Sequence, residues 1–97
     1  MSIHVKNILN ENIVEFNILK DNTISCNFNI ANIIISATSL YDCNHTIYED
    51  YIKDISKIIE LKNNISKDKN NLEIKDEVKE NCRKFANKYK FSISEEQ

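Results

Sequence analysis

The chain has 97 residues, 41% apolar and 29% charged, with 13 Lys and Arg against 15 Asp and Glu. That length supports one core, and the apolar fraction is that of a folded chain rather than a disordered one. A net charge of −2 excludes both a generally basic nucleic-acid binder and a heavily acidic decoy of DNA.

There is no Gly and no Pro, whereas Ile, Asn and Lys number 17, 15 and 12. Such a bias is the mark of an AT-rich genome. It also removes whole classes of chemistry. Phosphate-cradling loops, dinucleotide fingerprints, nucleophile elbows and the usual EF-hand loop all need a Gly where backbone must turn sharply or approach a ligand. Left-handed turn positions must pass to Asn, the next most tolerant residue. The longest aliphatic run, Ile33-Ile34-Ile35, falls far short of the ~20 residues of a membrane span. Residues 1–7 carry no charged-then-apolar export signal, so a cytoplasmic setting without a membrane is expected.

In chain order, residues 1–10 fit either a short strand at residues 3–5 or a short helix through Ile8 and Leu9. Within a single domain of residues 1–97, segments 1–10 and 92–97 are expected to be the least ordered. Two strands follow, at about residues 12–19 and 23–30. In the first, Val14, Phe16 and Ile18 alternate with Glu15 and Asn17; in the second, Ile24, Cys26, Phe28 and Ile30 alternate with Ser25, Asn27 and Asn29. Lys20-Asp21-Asn22 is turn chemistry. Keeping both apolar sets on one face demands a three-residue loop, pairing Ile18 with Ile24, Phe16 with Cys26 and Val14 with Phe28. Asn22 then takes the left-handed position, and Phe28 points inward from mid-strand.

Residues 31–41 match two templates. Their β-branched Ile run favours a strand, yet Ile30, Ile33, Ile34, Ala37 and Leu40 also trace a helical face. A third strand at about residues 32–38 is expected, because two strands alone make a marginal sheet. A helix at about residues 46–63 starts with a capping box, Thr46-Ile47-Tyr48-Glu49, and carries the stripe Tyr48, Tyr51, Ile52, Ile55, Ile58 and Ile59. After a polar connector, a second helix at about residues 71–90 presents Ile74, Val78, Cys82, Phe85 and Tyr89, with Asn70 and Glu73 as its cap. The expected architecture is α+β: a small antiparallel three-stranded sheet packed on one face by two C-terminal amphipathic helices.

Candidate chemistry is sparse. Cys26, Cys43 and Cys82 are an odd number of widely spaced thiols, which reads as free cysteines in a reducing compartment. With His4 and His45 they offer no C-x-x-C and no H-x-x-x-H, so no metal and no cofactor is expected. Cys43 and His45 stand too close in sequence for a usual nucleophilic pair and suit a loop entering a helix. The expected function is therefore a non-enzymatic protein-binding module, with Tyr41, His45 and Glu49 as the contact residues around a capped helix start. Small size and AT-rich composition suggest a phage- or mobile-element-encoded inhibitor or regulator of a host protein. The alternative is a nucleic-acid-binding regulator using Lys75, Lys79 and Arg83, spaced i, i+4, i+8 as a basic ridge. One Arg and no interleaved aromatic weigh against base reading there.

Overall fold

The computed structural model describes residues 1–65 and 71–96. Four strands and three helices follow the order β1 (Ser2–Lys6), β2 (Asn12–Ile18), β3 (Ile24–Phe28), α1 (Ile30–Cys43), α2 (His45–Asn64), α3 (Leu72–Tyr89) and β4 (Ser92–Glu96). The strands form one antiparallel sheet in the order β3-β2-β1-β4. The α+β class stands as expected. The sheet, however, has four strands rather than three, and the helices number three rather than two.

The β2–β3 hairpin has the register that face-matching demands: Ile18 opposite Ile24, Phe16 opposite Cys26, Val14 opposite Phe28. The Leu19 N–H donates to the Thr23 carbonyl and the Asn22 N–H to the Leu19 carbonyl, both at 2.9 Å, closing a three-residue loop. Asn22 is left-handed, with φ 64°. The β1–β2 turn repeats this design. The Asn7 N–H donates to the Glu11 carbonyl, the Asn10 N–H to the Asn7 carbonyl, and Asn10 sits at φ 63°. Asparagine thus does in both hairpins what Gly ordinarily does. The third left-handed residue is Lys90, φ 58°, where α3 ends and the Phe91 N–H donates back to the Ala86 carbonyl at 2.8 Å.

Residues 32–38 are helix, not strand. Asn29 caps α1 by accepting from the Asn32 N–H at 3.0 Å, and the Asn32 side chain donates to the Asn12 carbonyl at 2.7 Å, tying the helix start to β2. The strand reading failed because the sheet completes itself from the chain's two ends. β1 pairs with β2 on one side and β4 on the other, so Ser2–Lys6 and Ser92–Glu96 supply the missing strands. The helical template of residues 30–40 is then free to win. The capping box also shifts: α2 starts at His45, and its cap is Asn44 rather than Thr46. Asn71 occupies the cap position of α3, and its side chain donates to the Asn22 carbonyl. The expected cap Asn70 lies outside the described residues.

One face of the sheet is wet, with Ser2, His4, Glu15, Asn17, Ser25 and Asn27 on it. The other packs under the helices, α3 over β1 and β4, α1 over β2. Ile3, Val5, Val14, Phe16, Ile18 and Ile24 are buried there. A bulge at Ile13 sends two successive residues, Ile13 and Val14, into the core. Phe28 is only half-buried at the sheet edge, with the Lys62 ammonium 5.4 Å from its ring centroid. Tyr51, Phe85, Tyr89 and Phe91 form an aromatic cluster between α2, α3 and the residue before β4.

Candidate protein-binding site

A single residue joins α1 to α2. Asn44 is extended, with φ −160° and ψ 114°, and its groups serve both helices. Its N–H donates to the Leu40 carbonyl of α1 at 2.8 Å, while its carbonyl accepts from the Tyr48 N–H at 3.0 Å. Its side-chain oxygen accepts from the N–H groups of Thr46 and Ile47, at 2.9 and 3.2 Å. So short a junction folds the last turn of α1 against the first turn of α2.

The consequence is an aromatic cluster. Tyr41 lies 5.0 Å from the His45 ring and 5.1 Å from the Tyr48 ring, edge-on in both cases. His45 Nε2 is 3.4 Å from Glu49 Oε1 one turn along α2. Tyr41, His45 and Glu49 are therefore neighbours, and all three are exposed. Tyr48 is half-buried, and Tyr51 is fully buried, its hydroxyl donating to the Ile33 carbonyl at 3.1 Å. Burial pushes the Tyr51 phenol up to about 12, against a smaller opposing effect of Ser36. It acts as a pin between α1 and α2. Beside Tyr41 runs an apolar groove between the two helices, walled by Ile34, Ala37, Thr38, Tyr48 and Ile52.

The basic ridge is differently placed. Arg83 donates through Nε and Nη2 to both carboxylate oxygens of Glu95, at 2.8 and 2.9 Å. That paired hydrogen bond raises the Arg83 pKa and holds the Glu95 carboxyl below its usual range, burial of Glu95 opposing it weakly. Lys75 and Lys79 are half-buried on α3. The only guanidinium of the chain is thus committed to β4. Sequence reasoning missed this partner because residues 92–97 were expected to be a loose end.

Between α2 and α3 lies a polar groove walled by Asp54, Lys57, Asn81, Lys84 and Lys88. Asp54 accepts from the Tyr89 hydroxyl at 2.6 Å and from the Lys88 ammonium at 2.9 Å. Burial raises the Asp54 pKa, but these two donors outweigh it and leave the carboxyl below its usual range. Asp54 also pairs with Lys57, whereas Lys84 pairs with Glu80 and Asn81 donates to the Glu77 carbonyl, so these polar groups are already engaged within the fold.

The thiols are separate. Cys82 is buried, Cys26 half-buried and Cys43 exposed, and none is in a disulfide. Burial raises both Cys26 and Cys82 to about 12, which makes them poor nucleophiles. Among the described residues, no group of three or more His, Cys, Asp or Glu side chains could hold a metal ion. Among the same residues, no helix is long and apolar enough to cross a membrane.

What the sequence did not point to is the extent of exposed apolar surface. Ile8, Leu9, Ile30, Ile34, Ile35 and Tyr41 are all more than half exposed. The helical template over residues 30–40 carried that signal, and the strand assignment concealed it. Compared with protein-family models, with curated proteins and with solved structures, the chain matches none.

Proposed function

We propose that the chain is a non-enzymatic protein-binding module that contacts its partner through Tyr41, His45 and Glu49. The observation that carries this reading is the junction at Asn44, which fixes two exposed rings and a carboxylate beside an apolar groove. Aromatic anchors with polar tips, on a backbone that need not reorganise, supply binding energy at small entropic loss. A cytoplasmic role as a phage- or mobile-element-encoded inhibitor or regulator of a host protein agrees with the free thiols and the AT-rich composition.

The test is affinity capture from the lysate of an AT-rich bacterium, with wild type beside a Tyr41→Ala/His45→Ala variant. One stoichiometric protein should bind wild type with little dependence on salt. The variant should lose roughly 1–2 kcal/mol or more of that affinity if either ring is a hot spot. Replacing Lys75 and Lys79 with Glu should leave the contact intact. If instead nucleic acid co-purifies, is released by salt and is lost in the lysine variant, the module reads phosphates and the proposal fails.

A further inference from the structure

We propose that the outer face of α1 is the two-fold interface of a homodimer, with the two α1 helices packed antiparallel about the point between Ile34 and Ile35. The inference does not rest on the function proposed above: the face shares Ile34 and Thr38 with the groove beside Tyr41, but self-association is read with no other protein present.

The inner side of α1 buries Ile33, Ser36 and Ala37 in the chain's own core. At 100° per residue the opposite side carries Ala31, Ile35, Thr38 and Asp42, with Ile34 on its flank toward α2, all exposed. A solvent-facing helix surface is ordinarily charged. Here Asp42 is the only Asp, Glu, Lys or Arg in the whole helix, whereas α2 and α3 are studded with Lys, Asp and Glu. Ile34 and Ile35 remain 58% and 52% exposed. Ile8 and Leu9 border Ile35 and Ser39 and extend the surface sideways from the β1–β2 turn. Together they offer apolar area on the order of several hundred Å², approaching the ~800 Å² per partner of a standard interface.

The identity of the occupant follows from the order of residues. Positions 31 and 38 are equidistant from the midpoint of 34 and 35. An antiparallel two-fold therefore sets Ala31 against the partner's Thr38, while Ile34 and Ile35, on opposite sides of the contact line, pack beside the partner's Ile34 and the partner's Ile35. Small meets small at the closest approach, and large meets large. Charge selects the same direction. Asp42 sits in the last turn of α1, beside the carbonyl end of its own helix dipole, where a carboxylate is unfavourable. Antiparallel packing lays it over the N-terminal end of the partner's α1, where it is favourable; parallel packing would set two carboxylates side by side. A face whose one charge, Asp42, is matched at the far end of an antiparallel copy is best satisfied by a second copy of itself. The two Tyr41 junctions would then stand at opposite ends of the helix pair, roughly 20 Å apart along it.

Sedimentation equilibrium of the full chain, from dilute solution to about 0.1 mM, tests this. The expected mass is twice the 11.4 kDa of the chain, falling to the single value on dilution. Ile34→Lys and Ile35→Glu should each weaken dimerisation by about tenfold or more while leaving the circular dichroism spectrum unchanged. An equimolar mixture of Ile34→Lys and Ile34→Glu chains should recover a mixed dimer, because in this arrangement the introduced ammonium faces the partner's introduced carboxylate. A chain that stays at single mass throughout overturns the proposal and leaves α1 open to a foreign protein. A dimer indifferent to both single substitutions overturns it too. So does one that Ile34→Lys and Ile34→Glu each break and their mixture fails to restore.

Discussion

α1 and α3 are helices of similar length, 14 and 18 residues, that the fold holds in opposite ways. α3 has two chemistries. Its inner face buries Val78, Cys82, Phe85, Ala86 and Tyr89, and its outer face is charged. It is fixed by the aromatic cluster, by Asp54 and by the Arg83–Glu95 pair. α1 carries one charged residue, Asp42, and exposes Ile34 and Ile35 on its outer side. It is placed by its ends, through the Asn29 cap and the Asn44 junction, and by the Tyr51 hydroxyl at its middle. The lesson is that a helix with an apolar inner face and a charged outer one is finished within its own chain, whereas one that exposes isoleucines on its outer side has a surface left to bury.

The sharpest way to break that contrast is at the aromatic cluster. Phe85 is 3% exposed and touches Tyr51, Tyr89 and Phe91. Phe85→Ala should destabilise the fold by about 3–5 kcal/mol, the range for deleting a buried ring, read from urea unfolding. A loss below about 1 kcal/mol would show that α3 is no better anchored than α1.

A smaller effect tests the polar fastening. The Tyr89 hydroxyl donates to Asp54, whose side chain is 22% exposed. Tyr89→Phe keeps the ring and removes the donor, for an expected loss of about 1–2 kcal/mol at neutral pH. The pH dependence has a definite sign. Asp54 has a folded pKa below its ordinary 3.8, so the unfolded chain binds that proton more tightly. The stabilisation is complete above that ordinary value and drains as pH falls through the folded one. The gap between wild type and variant should accordingly narrow in acid. A gap that stays constant down to the acid limit would place the hydroxyl's contribution elsewhere.

The same contrast explains what could be read in the sequence. The β2–β3 register and the left-handed Asn22 were legible because alternation of apolar and polar residues leaves only one pairing parity. The α2 and α3 spans were legible because Tyr51, Ile55 and Ile58, and Val78, Cys82 and Phe85, repeat against charged neighbours. α1 was not, because Ile33, Ile34 and Ile35 differ in burial but not in character. No local rule separates an inward Ile from an outward one. β1 was one of two open readings of residues 1–10, and β4 was hidden for another reason: its pairing with β1 joins residues about ninety positions apart, such as Ser2 with Glu96, and nothing nearby announces it. For the candidate site, the proximity of Tyr41, His45 and Glu49 followed from helix-start chemistry, although the capping residue was Asn44 rather than Thr46.

The smallest expected effect is the most telling about α1. Ile34→Ala removes a large apolar side chain that is 58% exposed. In a core, Ile→Ala costs about 2–5 kcal/mol; here only about two-fifths of the residue is covered and has contacts to lose. Ala is also the better helix former, returning a few tenths of a kcal/mol. The two terms oppose each other, so the folded chain should lose only about 1 kcal/mol, well below the cost at a buried position. The measurement is urea unfolding at high dilution, where any self-association has been lost. Ile33→Ala, one residue earlier and 9% exposed, is the internal control and should be clearly destabilising. Equal losses at both positions would mean that α1 is held by its whole circumference. The distinction from α3 would then disappear, and the outer face would have no apolar surface to spare for a second chain.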